Sequence, residues 1–243
     1  MNTSLSGSKW PKKISKLSEA DQRISDDFMN YWLSILPNKY GAIESFNHGF
    51  PSSIRPDGFL RTLEIGAGRC EHLAYEKLTP EQRRGYHAVE FRSNIAEAIR
   101  ERFPDIHVVE ADCQKSMNFP DGHFDRVLAI HVLEHLPDLP AALKEAHRLL
   151  NPEKGVLVFV IPCIGGLAYR FAQTISAARI FKKRYGRPYS WFIDREHINP
   201  PNEIFEEVEK FFVIDKKRGF PSFFPLLHFN FCIAAVARPK SLI

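Results

Sequence analysis

Short apolar runs and amphipathic stripes alternate through the middle of this chain. Apolar runs of strand length cover residues 60–65, 85–91, 106–110, 124–131 and 155–161, and helical stripes cover residues 71–78, 94–103 and 139–150. The run at 155–161 is apolar throughout, which is expected of a strand with both faces covered. The alternation predicts a parallel sheet with helices on both of its faces.

The segments before this region have a different pattern. Residues 26–37 carry aromatic side chains at helical spacing, notably Phe28 and Trp32, which predicts an amphipathic helix. Such a helix covers either the core, which is the favoured interpretation, or an active site. Residues 1–19 are polar and are expected to be loose, and residues 51–58 are rich in turn-forming residues.

The alternation ends after the fifth strand. An insert covers about residues 162–201, and a helix over 202–210 follows it. Two strand patterns, 211–216 and 228–237, come next with no helix between them, so we expect an antiparallel pair. The segment 218–227 contains two prolines and a glycine, which suits a connection between these strands.

Composition narrows the classes of protein that fit. The 243 residues, 44% hydrophobic and 26% charged, are enough for one large α/β domain with its own core. The net charge of +4 permits an anionic or membrane-surface partner, but a dedicated nucleic-acid binder usually has a stronger, clustered excess. No apolar run is long enough to span a membrane and no signal-peptide pattern opens the chain, so we expect a cytoplasmic protein.

The cysteines are far apart and form no CxxC pair; they are Cys70, Cys113, Cys163 and Cys232. We interpret them as free thiols in a reducing compartment, because neither a disulfide framework nor a zinc site has this spacing.

The first predicted strand ends in a turn with two glycines, Gly66 and Gly68. Glycine permits a positive φ and lets a ligand lie against the backbone, and a helix that follows points N–H groups at an anionic part of that ligand. A dinucleotide-binding turn has the pattern GxGxxG, whose third glycine allows close packing of helix and strand. Glu71 occupies that third position here, which counts against an NAD enzyme without excluding one.

Acidic residues accompany the first three strands. Glu64 lies in the first strand, Glu90 ends the second, and Asp112 follows the third. A carboxylate at Glu90 is suited to both hydroxyls of a ribose, and one at Asp112 is suited to an adenine amino group. Because open α/β sheets bind ligands at the carboxyl ends of their strands, the three acids are expected along one crevice.

The motifs that carry these features follow one another in a specific order. They are LEIGAG at 63–68, VE at 89–90, EAD at 110–112, FPDGHFD at 119–125, AIHVLEHL at 129–136 and LNPEKG at 150–155. With these motifs, residues 59–162 resemble the class I S-adenosylmethionine (SAM)-dependent methyltransferases, in particular their broad small-molecule branch. The resemblance implies SAM as the cofactor and an α/β fold. That fold is a Rossmann-like three-layer sandwich with a seven-stranded, mostly parallel sheet and an antiparallel last strand.

The resemblance also implies a role for each motif residue. Carried over residue by residue, the cofactor-binding set is Glu64, Gly66, Ala67, Gly68, Glu90, Asp112, Cys113 and His131. The two glycines lie against the methionine part of SAM, whose amino group Glu64 helps to hold. Glu90 takes the ribose hydroxyls, and Asp112 borders the adenine together with the backbone of Cys113. One departure is Cys70, which stands where many relatives have a third glycine.

The candidates for acid–base chemistry follow the fourth strand and the insert. A hydroxyl acceptor needs a proton acceptor nearby, and the candidate catalytic residues are His131, Glu134, His135 and His197. Glu134 and His135 also have a structural interpretation, in which they orient the loop after the fourth strand. His197 likewise has one, in which it only anchors a loop. Two adjacent ligands fall short of a metal site, so no metal is predicted.

The resemblance divides the chain into an N-terminal extension with a cap helix, residues 1–58, and a methyltransferase domain, residues 59–243. The insert at about 162–201 is expected to form a lid or to bind the acceptor. Its basic part, 166–187, has three interpretations: an ordinary lid helix, a site for an anionic acceptor, or a contact with an anionic membrane surface. In the last case the protein lies at the inner face of the membrane.

The expected function is transfer of a methyl group from SAM to a small molecule, or to a glycan or lipid-linked intermediate, on oxygen. The alternatives are an NAD(P)-dependent oxidoreductase and a non-catalytic SAM-binding regulator. A nucleic-acid substrate is not expected, because residues 130–133 differ from the Asn/Asp-Pro-Pro-Tyr signature of methyltransferases that act on nucleic-acid amino groups. The sequence does not indicate an oligomeric state.

Overall fold

The computed structural model describes residues 9–241, which are arranged around one seven-stranded sheet. In chain order its strands are β1 (Thr62–Ile65), β2 (Tyr86–Glu90), β3 (His107–Glu110), β4 (Arg126–Ile130), β5 (Val156–Pro162), β6 (Phe212–Pro221) and β7 (Asn230–Pro239). Their order across the sheet is β3-β2-β1-β4-β5-β7-β6. The first five strands are parallel, and β7 is antiparallel to both β5 and β6. The predicted α/β fold, including its antiparallel last strand, is confirmed.

Helices cover both faces of this sheet and extend beyond it. They are α1 (Glu19–Lys39), α2 (Gly41–Ser53), α3 (Pro80–Arg84), α4 (Ser93–Arg102), α5 (Leu139–Leu149), α6 (Leu167–Ile175), α7 (Ala177–Tyr185), α8 (Ser190–Glu196) and α9 (Pro201–Phe211). Three short 3₁₀ turns add Glu71–Ala74, Leu133–His135 and Leu227–Phe229. No helix within residues 9–241 is long and apolar enough to cross a membrane.

The interior strand β5 shows how the two faces are separated. Successive side chains of a strand point to opposite faces. Leu157 and Phe159 accordingly belong to the buried cluster that α5 and α9 complete. Val158 and Val160 belong to the cluster on the opposite face, together with Phe50 of α2. Both clusters are buried, so β5 is covered on both sides, as its apolar run predicts.

Helix α2 was not predicted, and its last residues lie where the sequence indicated a turn. The helix contains glycine and proline, which lower its intrinsic stability, and Pro51 lies inside its last turn. Its apolar face packs on the sheet, with Phe50 and Pro51 buried. Burial against the sheet therefore outweighs the low helix propensity of this segment.

Helix α1 is confirmed as a helix, but it is longer than predicted and packs away from the sheet. Phe28 is fully buried, and its ring lies 4.9 Å from the rings of Phe181 in α7 and Phe192 in α8. These contacts form a separate aromatic cluster, so α1 and the insert cover each other. The favoured interpretation, in which α1 covers the main core, is thus wrong: α1 covers the insert instead.

The chain before α1 is held in place from residue 9 onwards. The ammonium of Lys12 donates a hydrogen bond of 2.8 Å to the carbonyl of Ile198, and Lys9 pairs with Glu203 at 2.7 Å. The expectation of a loose segment is therefore wrong for these residues, and residues 1–8 lie outside the described part. All four cysteines are buried and free, as predicted.

Candidate active site

The glycine turn after β1 combines one tight contact with one open backbone face. Gly66 has φ +61°, and a Cβ on it would lie 2.6 Å from Cγ2 of Val132. Gly68 has φ +56°, and a Cβ there would meet only Oε2 of Glu71, at 3.7 Å. Gly66 is thus required by the loop that follows β4, whereas Gly68 leaves its backbone open to a ligand.

The thiol of Cys70 points into the core and not into the turn. The residue adopts φ 56°, in the left-handed region that glycine enters without strain, and its side chain is fully buried beside Ala67 and Leu73. Burial raises the pKa of this thiol well above its usual range, so it stays protonated. Cys70 therefore holds a left-handed conformation that glycine adopts more easily, at a cost of about 1–2 kcal/mol.

The helix predicted after the turn is only a four-residue 3₁₀ turn, Glu71–Ala74. The prediction of a helix over 71–78 is wrong, and no row of helical N–H groups faces a ligand from this position. Instead, the carboxylate of Glu71 accepts a hydrogen bond of 3.1 Å from the backbone N–H of Arg69. A neighbouring side chain thus satisfies an N–H that an anion was expected to bind.

Glu90 joins the end of β2 to the glycine turn. Its Oε2 accepts a hydrogen bond of 3.0 Å from the N–H of Gly68, and its Oε1 accepts bonds from the N–H and the guanidinium of Arg92 at 3.0 and 2.9 Å. Its side chain is almost fully buried. The carboxylate therefore sets the distance between the two strand ends, and Arg92 is a partner that sequence reasoning missed.

A shallow pocket lies beyond the ends of β2 and β3. Asp112 and Ala111 line it together with Phe91, whose side chain is 70% exposed. Oδ1 of Asp112 accepts hydrogen bonds from the N–H and the amide of Gln114, at 3.0 and 2.9 Å, which fixes the carboxylate at the pocket wall. Cys113 turns inward and its side chain is buried in the main core. Phe91 was missed, although its place directly after Glu90 was a signal for it.

Glu64 points into the protein rather than into an open cleft. Oε2 of Glu64 accepts a hydrogen bond of 2.7 Å from the hydroxyl of the buried Tyr86. Burial raises the pKa of Glu64 to about 8, and the nearby Glu71 and Glu76 add to this rise, against the opposing effect of Tyr86. The carboxyl group is thus protonated at neutral pH, and its expected bond to the amino group of a cofactor stays a prediction.

His131 lies at the end of β4 in a left-handed conformation, with φ 53°. Its Nδ1 is 3.2 Å from Oε1 of the fully buried Glu134, and its Nε2 is 4.0 Å from the sulfur of Cys232. Burial lowers the pKa of His131, but Cys232 and Glu134 outweigh it and hold that pKa well above the usual range. Burial opposes ionisation of Glu134 as well, yet the surrounding histidines lower its pKa to about 2.

The end of the insert closes over the loop that contains Glu134. The carbonyl of Glu134 accepts hydrogen bonds from the N–H groups of Ile198 and Asn199, at 2.9 and 3.0 Å. The side-chain amide of the buried Asn199 donates to the carbonyls of Leu133 and Leu136, both at 2.8 Å. Asn199 was missed as a site residue, because only the tertiary structure brings residues 196–199 to the loop after β4.

This closure brings all four candidate catalytic residues together. The rings of His135 and His197 lie 4.9 Å apart, and Nε2 of His135 is 3.8 Å from Oε1 of Glu134. Burial, with a smaller effect of His135, lowers the pKa of His197 to about 3, so its ring is neutral. Val132 links this cluster to the cofactor-binding candidates, because its side chain packs on Gly66.

Comparison with known proteins identifies the central part of the chain. Residues 63–159 match the model of a family described as a methyltransferase domain. Over 72 residues the chain is 38% identical to a sterol 4-C-methyltransferase of Caenorhabditis elegans, a match that covers 27% of this chain. The chain spans about a fifth of the length of that relative, since the match covers 21% of it.

The fold also has counterparts among solved structures. One is a SAM-dependent methyltransferase and possible histamine N-methyltransferase of Thermotoga maritima, with a TM-score of 0.63 and 18% identity. That match covers 90% of this chain and 99% of the other. Another is the trans-methyltransferase CalH in complex with SAH, with a TM-score of 0.54 and 23% identity over 86% of this chain and 62% of the other. At these identities the likeness shows the fold.

Proposed function

We propose that this chain, in which residues 63–159 form a class I SAM-dependent methyltransferase domain, methylates a small molecule or a glycan or lipid-linked intermediate on oxygen. The observation that supports this most is the pairing of the glycine turn with Glu90. One carboxylate holds the open turn through the N–H of Gly68, at the carboxyl ends of two adjacent parallel strands. This is the edge at which open α/β sheets bind ligands.

The residues at this edge fit SAM. Gly68 leaves backbone space for the methionine part, and Glu90 retains acceptor capacity for ribose hydroxyls once Arg92 turns away, which its exposed side chain permits. Phe91 and Asp112 supply an aromatic face and a carboxylate suited to an adenine ring and its amino group. When bound, SAM supplies an electrophilic methyl group on a sulfonium, and the protein has to orient the acceptor and exclude water.

His131 is the proposed proton acceptor for a hydroxyl group. Glu134 contacts Nδ1 of His131 and fixes the orientation of its ring, and the raised pKa of His131 makes Nε2 a strong base above that pKa, where the ring is neutral. His131 also interacts electrostatically with Glu44 of α2, and Glu134 with Tyr169 of α6. Positioning of this kind can account for a large part of the barrier, on the order of 7–11 kcal/mol in good cases.

Titration calorimetry and a transfer assay test this function. We expect SAM and S-adenosylhomocysteine to bind, NADH not to bind, and labelled methyl groups to pass from SAM to a component of fractionated cell extract. Binding of NADH without SAM would instead support the oxidoreductase alternative. Binding of SAM with no transfer to any fraction would support a regulatory protein, and His131→Gln would then change nothing measurable.

The membrane-surface interpretation of the insert has support from an exposed apolar patch. The Leu227–Phe229 turn packs against the start of α6, where a Cβ on Gly166 would clash with the carbonyl of Leu227. Large apolar side chains that are 48% to 68% exposed project from α6 and from residues 223–229: Leu167, Phe171, Ile175, Phe223, Phe224, Leu226 and Phe229. An apolar surface of this kind marks an interaction site on a protein that is otherwise covered by polar groups.

Basic side chains accompany this apolar patch, which consists of the seven residues named above. Arg170, Arg179, Lys182 and Lys183 are exposed on α6 and α7, and Arg218 lies 5.1 Å from the centre of the ring of Phe223. Apolar side chains ringed by cations suit the interface of an anionic membrane. The relative is named a sterol 4-C-methyltransferase, and a sterol acceptor for that protein favours a lipid acceptor here as well.

Flotation with vesicles tests this contact. The protein is expected to float with vesicles that contain phosphatidylserine and to stay behind with neutral vesicles. The double variant Phe171→Ser/Phe224→Ser should lose flotation, whereas Val213→Ser, at a half-exposed apolar position on β6, should retain it. Flotation that is the same in all three proteins, or absent in the unmodified chain, would contradict a membrane contact through the patch.

A further inference from the structure

Three side chains with metal-binding atoms meet where the end of the insert packs on the loop after β4. Glu134 and His135 lie in the Leu133–His135 turn, and His197 directly follows α8. One ligand atom from each lies within 4.8 Å of the other two. Two atoms that bind one Zn²⁺ at about 2.0–2.2 Å lie about 3–4 Å apart, so a side-chain shift of about 1 Å closes this set on a cation.

The tautomer of His135 already suits a ligand. Its Nδ1 donates a hydrogen bond of 2.5 Å to the carbonyl of Glu196, so in the neutral ring Nε2 carries the lone pair. That nitrogen faces Oε1 of Glu134 at 3.8 Å, a distance at which a neutral imidazole makes no hydrogen bond to a carboxylate. Metal-binding histidines generally have this arrangement, with one nitrogen donating to a carbonyl and the other on the metal.

The other two side chains have buried polar atoms without a partner. Oε2 of the fully buried Glu134 and Nδ1 of His197 make no hydrogen bond with the residues that the structure describes. A buried carboxylate oxygen left unsatisfied is destabilising, so native proteins rarely retain one without a partner. Two of the three side chains that meet here thus carry a buried polar atom without a partner, which points to a ligand for the cluster rather than to packing alone.

We propose that Glu134, His135 and His197 bind one divalent transition-metal cation, with Zn²⁺ as the best match to their donors. Two imidazole nitrogens and one carboxylate are borderline ligands, which suit Zn²⁺ and poorly suit Mg²⁺, because Mg²⁺ prefers oxygen ligands in octahedral geometry. The proposal is independent of the proposed methyl transfer. It revises the expectation from the sequence, which found only the adjacent pair Glu134 and His135.

A cation at this place would join the end of the insert to the loop after β4. Glu134 and His135 belong to the loop that packs on the glycine turn, whereas His197 belongs to the chain between α8 and α9. Three protein ligands leave a coordination position open, as in catalytic zinc sites. His135 and Glu196 also line an open cleft with Ile14, Gln22 and Arg195, so a water or a ligand oxygen can reach that position.

Titration of the full chain with ZnCl₂, after treatment with a chelator, tests the site. We expect one equivalent of Zn²⁺ to bind and to raise the melting temperature, and a large excess of Mg²⁺ not to displace it. Co²⁺ in the same site should give visible absorption bands of four- or five-coordinate geometry. His135→Gln and His197→Gln should each weaken Zn²⁺ binding on the order of tenfold or more, because each removes a ligand.

The matched control is His228→Gln, which removes an exposed histidine outside the cluster and should leave Zn²⁺ affinity unchanged. Replacing His197, which packs inside the cluster, risks misfolding of the chain. The side chain of His135 is 32% exposed, so His135→Gln avoids this risk. If the His197 variant does not fold, His135→Gln and the Co²⁺ spectrum of the unmodified chain decide the question. The proposal is overturned if no equivalent binds, or if binding survives His135→Gln at full affinity.

Discussion

Glu90 is the residue whose contacts bear most directly on the proposed cofactor. Glu90→Ala removes the acceptor for the N–H of Gly68 and the proposed acceptor for the ribose hydroxyls. We expect it to weaken SAM binding by about 1–3 kcal/mol, because a buried donor loses a charged acceptor. Calorimetry with SAM measures this, with Glu97→Ala on the exposed side of α4 as the control. Equal affinity of both variants and the unmodified chain would mean that the ribose lies elsewhere.

Glu64 makes the stability of the fold depend on pH. Its pKa is about 8 in the folded chain and near 4.3 in an unfolded one, so ionisation favours the unfolded state. The stability that the protonated carboxyl contributes is complete below pH of about 4 and is lost as the pH rises towards about 8, by up to about 1.4 kcal/mol per unit.

The variant Glu64→Gln cannot ionise and retains an acceptor for Tyr86. We therefore expect its melting temperature, relative to the unmodified chain, to rise steadily between pH 5 and pH 8. Thermal unfolding at several pH values measures this difference, and Glu97→Gln, which changes an exposed carboxylate, should show no such trend. Parallel curves for Glu64→Gln and the unmodified chain would show that Glu64 is ionised in the folded state.

Among the elements, the glycine turn is held by two separate constraints at Gly66. Gly66→Ala places a Cβ against Val132 and forces a positive φ on alanine, so we expect loss of about 2 kcal/mol of stability or more, together with weaker SAM binding. Val132→Ala in the same chain should recover only the part that comes from the clash. Denaturant unfolding of the single and double variants separates the cost of the clash from the cost of the positive φ. Full recovery of stability in the double variant would show that the positive φ at residue 66 costs alanine nothing.

The elements that the sequence predicted well are those whose pattern is set by burial on the sheet. Strands β1 to β4 lie within the predicted runs, β5 extends one residue beyond its run, and α4 and α5 match their stripes to within one residue. The prediction failed where propensity and context disagree. In α2 the contacts of Phe50 with the sheet override glycine and proline, and after the glycine turn the left-handed Cys70 is followed by a 3₁₀ turn instead of a helix.

At the scale of the whole molecule, α1 and the insert form a unit beside the sheet. Phe28→Ala removes the ring at the centre of their aromatic cluster, and large-to-small changes of this kind cost about 3–5 kcal/mol. We expect faster hydrogen exchange in α1, α7 and α8, and unchanged protection in β1, β4 and β5, whose clusters do not include Phe28. Exchange that increases equally in the sheet would show that α1 and the main core unfold together.

The sequence by itself determined the sheet, the glycine turn and the acids at the strand ends, because these follow from hydrophobic runs and from residues adjacent in the chain. Only the tertiary structure decided which groups meet from distant segments. Asn199 reaches the carbonyls of Leu133 and Leu136, His197 comes beside His135, and Glu64 finds Tyr86 instead of an open cleft. These contacts depend on how the insert and the strands pack, and that packing leaves no periodic pattern along the chain.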